Sequence, residues 1–293
     1  MEYTSLNNTI IIRQPDSFRL SETLECGQCF RFEKIAEEEY VIIAFGRAVT
    51  AKEEDGNIII NGLDKDEFEL KWKHYFDLER DYALLKAGLC ENDEIMREAV
   101  KFAPGIRILN QDFFECLISF IISQNNRIPM IKKVISNISE KYGEPIGEIN
   151  GVTYYSFPSP ETLKNADNES LMALKTGFRA KYIIDAVQKI TSGEIQKEKL
   201  DKMTLEEARN TLMTIKGVGP KVADCVLLFS LERSEVFPKD VWIKRVMEYF
   251  YFNGEDTKKE EIQKKADALY GNMQGFAQQY LFNYARTLKI GTK

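Results

Sequence analysis

The residues between Leu212 and Asp240 constrain this chain more than any others. They read L-M-T-I-K-G-V-G-P-K-V-A-D, then an apolar run from Cys225 to Leu231, then V-F-P-K-D. Gly217 and Gly219 stand at the seam between two helical patterns, where the backbone can take φ > 0 or another molecule can approach closely. Pro220 suits the first turn of a helix, because the N–H it lacks would have no partner there. The turn therefore presents open backbone N–H groups at a helix N-terminus, a seat for a phosphate. Lys221 opens the second helix, and Asp240 follows after that helix and a short loop. A bare G-x-G also fits an ordinary helix–turn–helix corner with a surface lysine; only the full string separates the two.

At 293 residues the chain can bury a sizeable core and divide into two or three parts. Its 44% hydrophobic and 29% charged content is that of a globular protein in water. The formal charge of -6 and pI of about 5.2 argue against nucleic acid when taken alone. Charge is unevenly placed, however. Acidic residues crowd Glu37–Glu39, Glu53–Asp55 and Asp64–Glu69, while Arg127, Lys132, Lys133, Arg179, Lys181, Lys216, Lys221, Lys239, Lys244 and Arg245 surround the segments of interest. One basic face on an acidic body is expected. Met1–Asn8 carries no secretion pattern, and the apolar stretches are far too short to span a bilayer. A cytoplasmic, nucleoid-associated protein is expected, with no membrane partner. Five cysteines suit free thiols in a reducing interior. Cys26-Gly-Gln-Cys29 is a lone pair, and with His74 the only histidine no metal site is expected.

The fold class expected is α+β. Thr9–Arg13, Phe30–Glu33, Tyr40–Phe45 and Asn57–Asn61 read as short strands, with Asp55-Gly56 a hairpin turn. From Asp64 the period becomes helical, with Phe68, Trp72 and Tyr75/Phe76 on one face and a further helix over Arg80–Leu89. Residues 1–98 are thus expected to form a small antiparallel sheet with helices, docked on a mainly helical bundle over 99–293. The rest reads as helical. Asp112–Gln124 is apolar all round, the mark of a central buried helix. Helical patterns follow at Asn126–Tyr142, Leu171–Thr176, Tyr182–Ser192, Leu205–Thr214, Val222–Leu231, Val241–Phe250, Lys258–Tyr270 and Gly275–Leu288. The hairpin of helices spans about 205–231.

G-V-G-P-K-V-A-D-C followed by V-F-P-K-D-V resembles the helix-hairpin-helix plus Gly/Pro…Asp signature of base-excision DNA glycosylases. Lys221 and Asp240 are then the candidate catalytic pair. Burial at a helix N-terminus would disfavour the ammonium form of Lys221, and a free amine can attack a sugar C1′ and form a Schiff base. Asp240 can stabilise positive charge on the opening sugar and move a proton; it also fits the N-cap of the following helix. Phe114-Glu-Cys-Leu-Ile-Ser-Phe-Ile-Ile-Ser-Gln-Asn-Asn126, Gly177-Phe-Arg-Ala-Lys-Tyr182, Cys26-Gly-Gln-Cys-Phe-Arg31 and Phe276-Ala-Gln-Gln-Tyr-Leu-Phe282 resemble segments of the 8-oxoguanine DNA glycosylase/AP lyase branch, in order over nearly the whole chain.

That resemblance implies a monomeric enzyme that flips 8-oxoguanine out of double-stranded DNA, excises it, and cuts the abasic strand by β-elimination. Asn125 would fill the gap in the duplex, or simply cap the following helix. Phe178 would wedge beside the estranged base and Arg179 would hydrogen-bond it; alternatively Phe178 is core and Arg179 a phosphate contact. Gly27 would offer its carbonyl to the N7–H that guanine lacks. Phe282 and Cys225 would sandwich the base and Gln278 bond its Watson–Crick edge, though Cys225 also reads as a small buried residue. Backbone N–H groups at Gly217, Gly219 and Lys221 would hold phosphates. Two departures stand out. Met130 replaces an arginine that recognises the opposing cytosine and cannot donate a hydrogen bond, which implies a relaxed preference for the opposite base. Trp242 replaces a histidine that touches phosphate, leaving that contact in doubt. Some relatives hold an iron–sulfur cluster on four late cysteines; no cysteine follows Cys225, so no cofactor is expected. A glycosylase for another damaged base, a hairpin that only grips DNA backbone, and an acidic interaction protein are the competing readings.

Overall fold

Six short strands alternate apolar and polar residues so that one face of a single antiparallel sheet is buried. In the computed structural model, which describes residues 1–290, these are β1 (Tyr3–Leu6), β2 (Thr9–Ile12), β3 (Phe32–Ala36), β4 (Glu39–Ala44), β5 (Arg47–Glu54) and β6 (Asn57–Asn61), in spatial order β1-β2-β6-β5-β4-β3. The register pairs Ile10 with Ile60, Ile12 with Ile58, Tyr40 with Ala51 and Ile42 with Val49. That places one set of apolar side chains against Phe68, Trp72 and Phe76. Asp55 and Gly56 take φ of 50° and 74°, the two-residue turn whose twist suits a hairpin.

Among the described residues ten helices of nine residues or more follow: α1 (Tyr82–Cys90), α2 (Glu94–Phe102), α3 (Phe113–Ser123), α4 (Ile128–Tyr142), α5 (Ala180–Thr191), α6 (Leu205–Met213), α7 (Pro220–Ser230), α8 (Val241–Tyr251), α9 (Lys259–Tyr270) and α10 (Gln274–Thr287). Helices α3 and α7 are buried on nearly every side and form the heart of the larger core. Gly275 lets α10 close on α7, since a Cβ there would lie 2.4 Å from Leu228.

The structure corrects the sequence reading in three places. Tyr3–Leu6 and Arg47–Glu54 are strands that the alternation did not reveal, and β3 begins at Phe32 instead of Phe30. The second part is not wholly helical: Pro145–Ile149 (β7) and Val152–Tyr155 (β8) form a hairpin through Asn150 and Gly151, both at positive φ. Helices α1 and α2 pack into the larger core with the later helices.

Candidate functional site

The helix hairpin is built from its caps inward. Thr204 and Glu207 form a reciprocal capping box at the start of α6. Gly217 then takes φ of 76°, and a Cβ there would sit 2.3 Å from the Tyr182 ring, so only glycine fits. Gly219 is the N-cap of α7 and offers no side-chain cap, with Pro220 at the first helical position. The first-turn N–H groups of α7 are thus left for an outside acceptor. Between the hairpin helices, Arg209 pairs with Asp224 at 2.6 Å. Burial raises the Asp224 carboxyl above its usual range, and Arg209 opposes that rise.

A cavity of about 160 Å³ gathers residues from four distant stretches of chain. Gly27, Lys221, Cys225, Asp240, Gln278 and Phe282 all line it. An open cleft adjoins it, lined by Asn125, Gly219, Arg209, Lys239 and Lys259; Lys221, Asp240, Ser123 and Asn126 border both. Lys221 and Asp240 therefore stand where a small pocket meets a larger groove. The Lys221 amine lies 5.3 Å from the centre of the Phe120 ring, and Phe120 stacks on Phe229 at 5.4 Å. Asp240 caps α8, its carboxylate accepting the Ile243 N–H at 2.7 Å. Burial pushes the Cys225 thiol up to about 11, while the nearby Lys221 amine pulls it down and the Asp240 carboxylate adds to the rise.

The loop that carries Gly27 is held from beneath. Gln28 is fully buried: its amide donates to Thr23 O (2.8 Å) and Arg107 O (2.7 Å), and its oxygen accepts from Leu109 N (2.8 Å). Gln279 donates to Cys26 O at 2.8 Å. Gly27 itself sits at φ of 89°, where its missing Cβ would lie 3.2 Å from the Phe282 ring. Trp242 meets the same ring edge-on, with centroids 4.7 Å apart. Cys26 and Cys29 are free and buried, which pushes both thiols up, Cys26 to about 11.

The remaining sequence candidates lie outside the cavity. Asn125 occupies the turn between α3 and α4 at φ of 48° and is exposed. Phe178 is 54% exposed and Met130 42% exposed. Arg179, only 8% exposed, donates to Gln124 O (2.9 Å), Asn125 O (3.0 Å) and Thr176 O (3.3 Å). The cations expected to form one basic face divide. Lys132 is half-buried over Phe32, donating to its carbonyl at 2.9 Å. Lys216 pairs with Asp185 at 3.5 Å, and Lys244 with Glu248 and Asp256. Arg127, Lys133 and Lys181 are exposed. Sequence reasoning missed Phe30, Phe120, Phe229 and Gln279 as cavity walls. Only Gln279 could have been suspected, as a second buried glutamine beside Gln278. Among the described residues no group of three or more His, Cys, Asp or Glu could hold a metal ion, and no helix is long and apolar enough to cross a membrane.

Comparison with known proteins adds the following. Residues 10–117 match the family described as 8-oxoguanine DNA glycosylase, N-terminal domain, and residues 118–271 match the HhH-GPD superfamily base excision DNA repair protein family. A probable N-glycosylase/DNA lyase of Methanothermobacter thermautotrophicus is 33% identical over 239 residues, covering 75% of this chain and 72% of that protein. The structure of MBOgg1 in complex with a low-affinity DNA ligand superimposes with a TM-score of 0.94 at 47% identity, over 99% of this chain and 100% of that one. The Clostridium acetobutylicum 8-oxoguanine glycosylase/lyase, in complex with duplex DNA bearing cytosine opposite 8-oxoguanine, gives 0.94 at 40% identity, over 99% of both chains.

Proposed function

The chain belongs to the HhH-GPD superfamily of base excision DNA repair proteins, in its 8-oxoguanine DNA glycosylase branch, and on that premise we propose how its residues divide the work. The protein is a bifunctional DNA glycosylase and AP lyase acting on 8-oxoguanine in double-stranded DNA. The flipped nucleotide enters the cavity with its sugar at the mouth, between Lys221 and Asp240. The Lys221 amine attacks C1′, and the C1′–N9 bond breaks with its electron pair leaving on the base. Asp240 stabilises the positive charge that builds on the sugar and accepts a proton from the attacking amine. Ring opening gives a Schiff base on Lys221. Loss of a C2′ proton then expels the 3′ phosphate, and water releases the lysine. An amine and a carboxylate suffice, and no cofactor is invoked.

Within the cavity, the Gly27 carbonyl is the acceptor for the N7–H of the lesion. Guanine would leave that acceptor unpaired in a buried site, which is the stronger form of rejection. Cys225 and Phe282 form the slot walls and Gln278 bonds the base edge. Outside it, Asn125 and Phe178 probe the vacated helix, and open N–H groups around Gly217, Gly219 and Lys221 take phosphates. Met130 offers no hydrogen bond to an opposing cytosine, so the preference for the opposite base is relaxed. The protein acts as a monomer in the cytoplasm, at the nucleoid.

The observation that carries this reading is the position of Lys221 and Asp240 at the junction of cavity and cleft. Borohydride trapping tests it, using a duplex with one 8-oxoguanine, an undamaged duplex and the Lys221→Gln variant. A covalent adduct forms only with the lesion and only with Lys221 present. An adduct that survives in Lys221→Gln would assign the nucleophile elsewhere.

A further inference from the structure

The turn of the helix hairpin rests on α5. Helix α6 ends at Met213, and the chain then closes two local bonds, Ile215 N–H to Leu212 O at 3.1 Å and Val218 N–H to Ile215 O at 3.0 Å. Lys216, between those two donors, gives its backbone N–H to the Asp185 carboxylate of α5 at 2.8 Å. The other carboxylate oxygen stands 3.5 Å from the Lys216 amine. Three residues earlier on α5, Tyr182 lies under Gly217, so close that a Cβ there would meet its ring at 2.3 Å. Residues three apart share a helix face. Helix α5 therefore offers the turn a cradle, with an aromatic floor under Gly217 and an acceptor under Lys216.

We propose that Asp185 is a positioning residue, which fixes this turn so that the open N–H groups at Gly217, Gly219 and Lys221 meet a DNA phosphate in one arrangement. The proposal rests on the glycosylase reading above. By charge alone Asp185 is misplaced, because a carboxylate beneath a phosphate-gripping turn repels the phosphate. Its ion pair with Lys216 does not account for it either. The Lys216 side chain is 73% exposed, and pairs so open to water contribute little. The bond to the backbone remains. It takes up a donor that has passed the end of α6, and it ties the turn to a second helix. Without it the turn would spend less time in the binding arrangement, and the apparent Kd rises as that fraction falls.

The test is equilibrium binding to a duplex with a non-cleavable abasic-site analogue, beside single-turnover release of 8-oxoguanine at saturating protein. Charge and positioning predict opposite signs. Asp185→Ala removes an acid from the DNA-binding face, so charge alone predicts tighter binding. Positioning predicts binding about tenfold weaker, as for a turn that is competent one time in ten. Asp185→Asn keeps an oxygen that accepts the Lys216 N–H and loses the repelling charge. It should bind at least as tightly as the wild type. Asp185→Glu keeps the charge and displaces the acceptor; it should weaken binding as alanine does, and it serves if Asp185→Ala does not fold. Release at saturation should change by less than about twofold in every variant, because the lost contribution is to binding and not to the chemical step. Tighter binding by Asp185→Ala would overturn the proposal, and so would an asparagine variant as weak as alanine. Release slowed as much as binding would reduce Asp185 to a residue that merely holds the fold. Wild-type protein whose duplex affinity does not fall with added salt would instead sink the phosphate grip itself, and this inference with it.

Discussion

Gly27 shows how much of this site depends on single atoms. Its φ of 89° excludes other residues on backbone grounds, and the Phe282 ring stands 3.2 Å from where a methyl group would go. Alanine there would strain the loop and push Phe282 toward the slot it is proposed to wall. The loop would resist, because Gln28 and Gln279 pin it on either side. Gly27→Ala should thus cost about 1–2 kcal/mol of stability in urea unfolding. Release of 8-oxoguanine should fall by about 100-fold, from misplacement at the chemistry. Rates that fall only as far as stability does would mean that the loop has no part in the site. The cavity residues proposed to carry the chemistry could be singled out in the sequence because each lay in a motif: Gly27 in C-G-Q-C, Lys221 and Cys225 in G-V-G-P-K-V-A-D-C, Gln278 and Phe282 in F-A-Q-Q-Y-L-F. Phe120 and Phe229 could not. Both lie on helices buried on nearly every side, where periodicity cannot say which side chain faces a void.

A buried ion pair joins the two helices of the hairpin. Asp224 is 4% exposed, and its bond to Arg209 at 2.6 Å joins α6 to α7. A carboxyl whose folded pKa lies above its unfolded value, here above 3.8, binds its proton more readily in the fold. That contribution is full below the unfolded value and is lost as pH rises through the folded one. Arg209→Met removes the group that offsets the buried charge, so the deficit is greatest at neutral pH. Allowing for the partial exposure of Arg209, the loss should be about 2 kcal/mol at pH 7 and should shrink toward pH 4. Adding Asp224→Asn should abolish most of the pH dependence; a deficit constant across that range would show that packing, not charge, holds the hairpin. At this scale the sequence was most legible where turn chemistry and burial agreed, as at Asp55-Gly56 and along Phe113–Ser123. The hairpin at Asn150-Gly151 carried the same kind of signal, but short flanking runs with Pro145 and Gly147 obscured it. Strand β5 was hidden because Arg47, Lys52, Glu53 and Glu54 dilute its alternation.

The whole molecule has two hydrophobic cores, one under the sheet and one among the helices. Their junction is polar and hydrogen-bonded, although the buried Arg107 Nε has no partner. Gln28 ties Thr23 to Arg107 and Leu109, Gln111 donates to Gln28 O at 2.8 Å, and Thr23 donates to Gly105 O at 3.0 Å. The division of the chain near residue 98 is therefore proposed as one of architecture only. The segment that begins the helical part is hydrogen-bonded into the sheet part, and the proposed site takes Gly27 from one side and Lys221 from the other. The two parts should unfold together. The two tryptophans supply the probe, because Trp72 lies in the sheet core and Trp242 beside Phe282. In Trp242→Phe, fluorescence reports the sheet core and far-ultraviolet circular dichroism is dominated by the helices. Coincident urea transitions are expected, as for one cooperative unit. Gln28→Ala in that background leaves the buried Leu109 N–H without its acceptor. It should lower both midpoints equally, by about 2–3 kcal/mol in stability. Two separated transitions would mean that the cores are independent, and that Gly27 and Lys221 are brought together by docking instead of by folding.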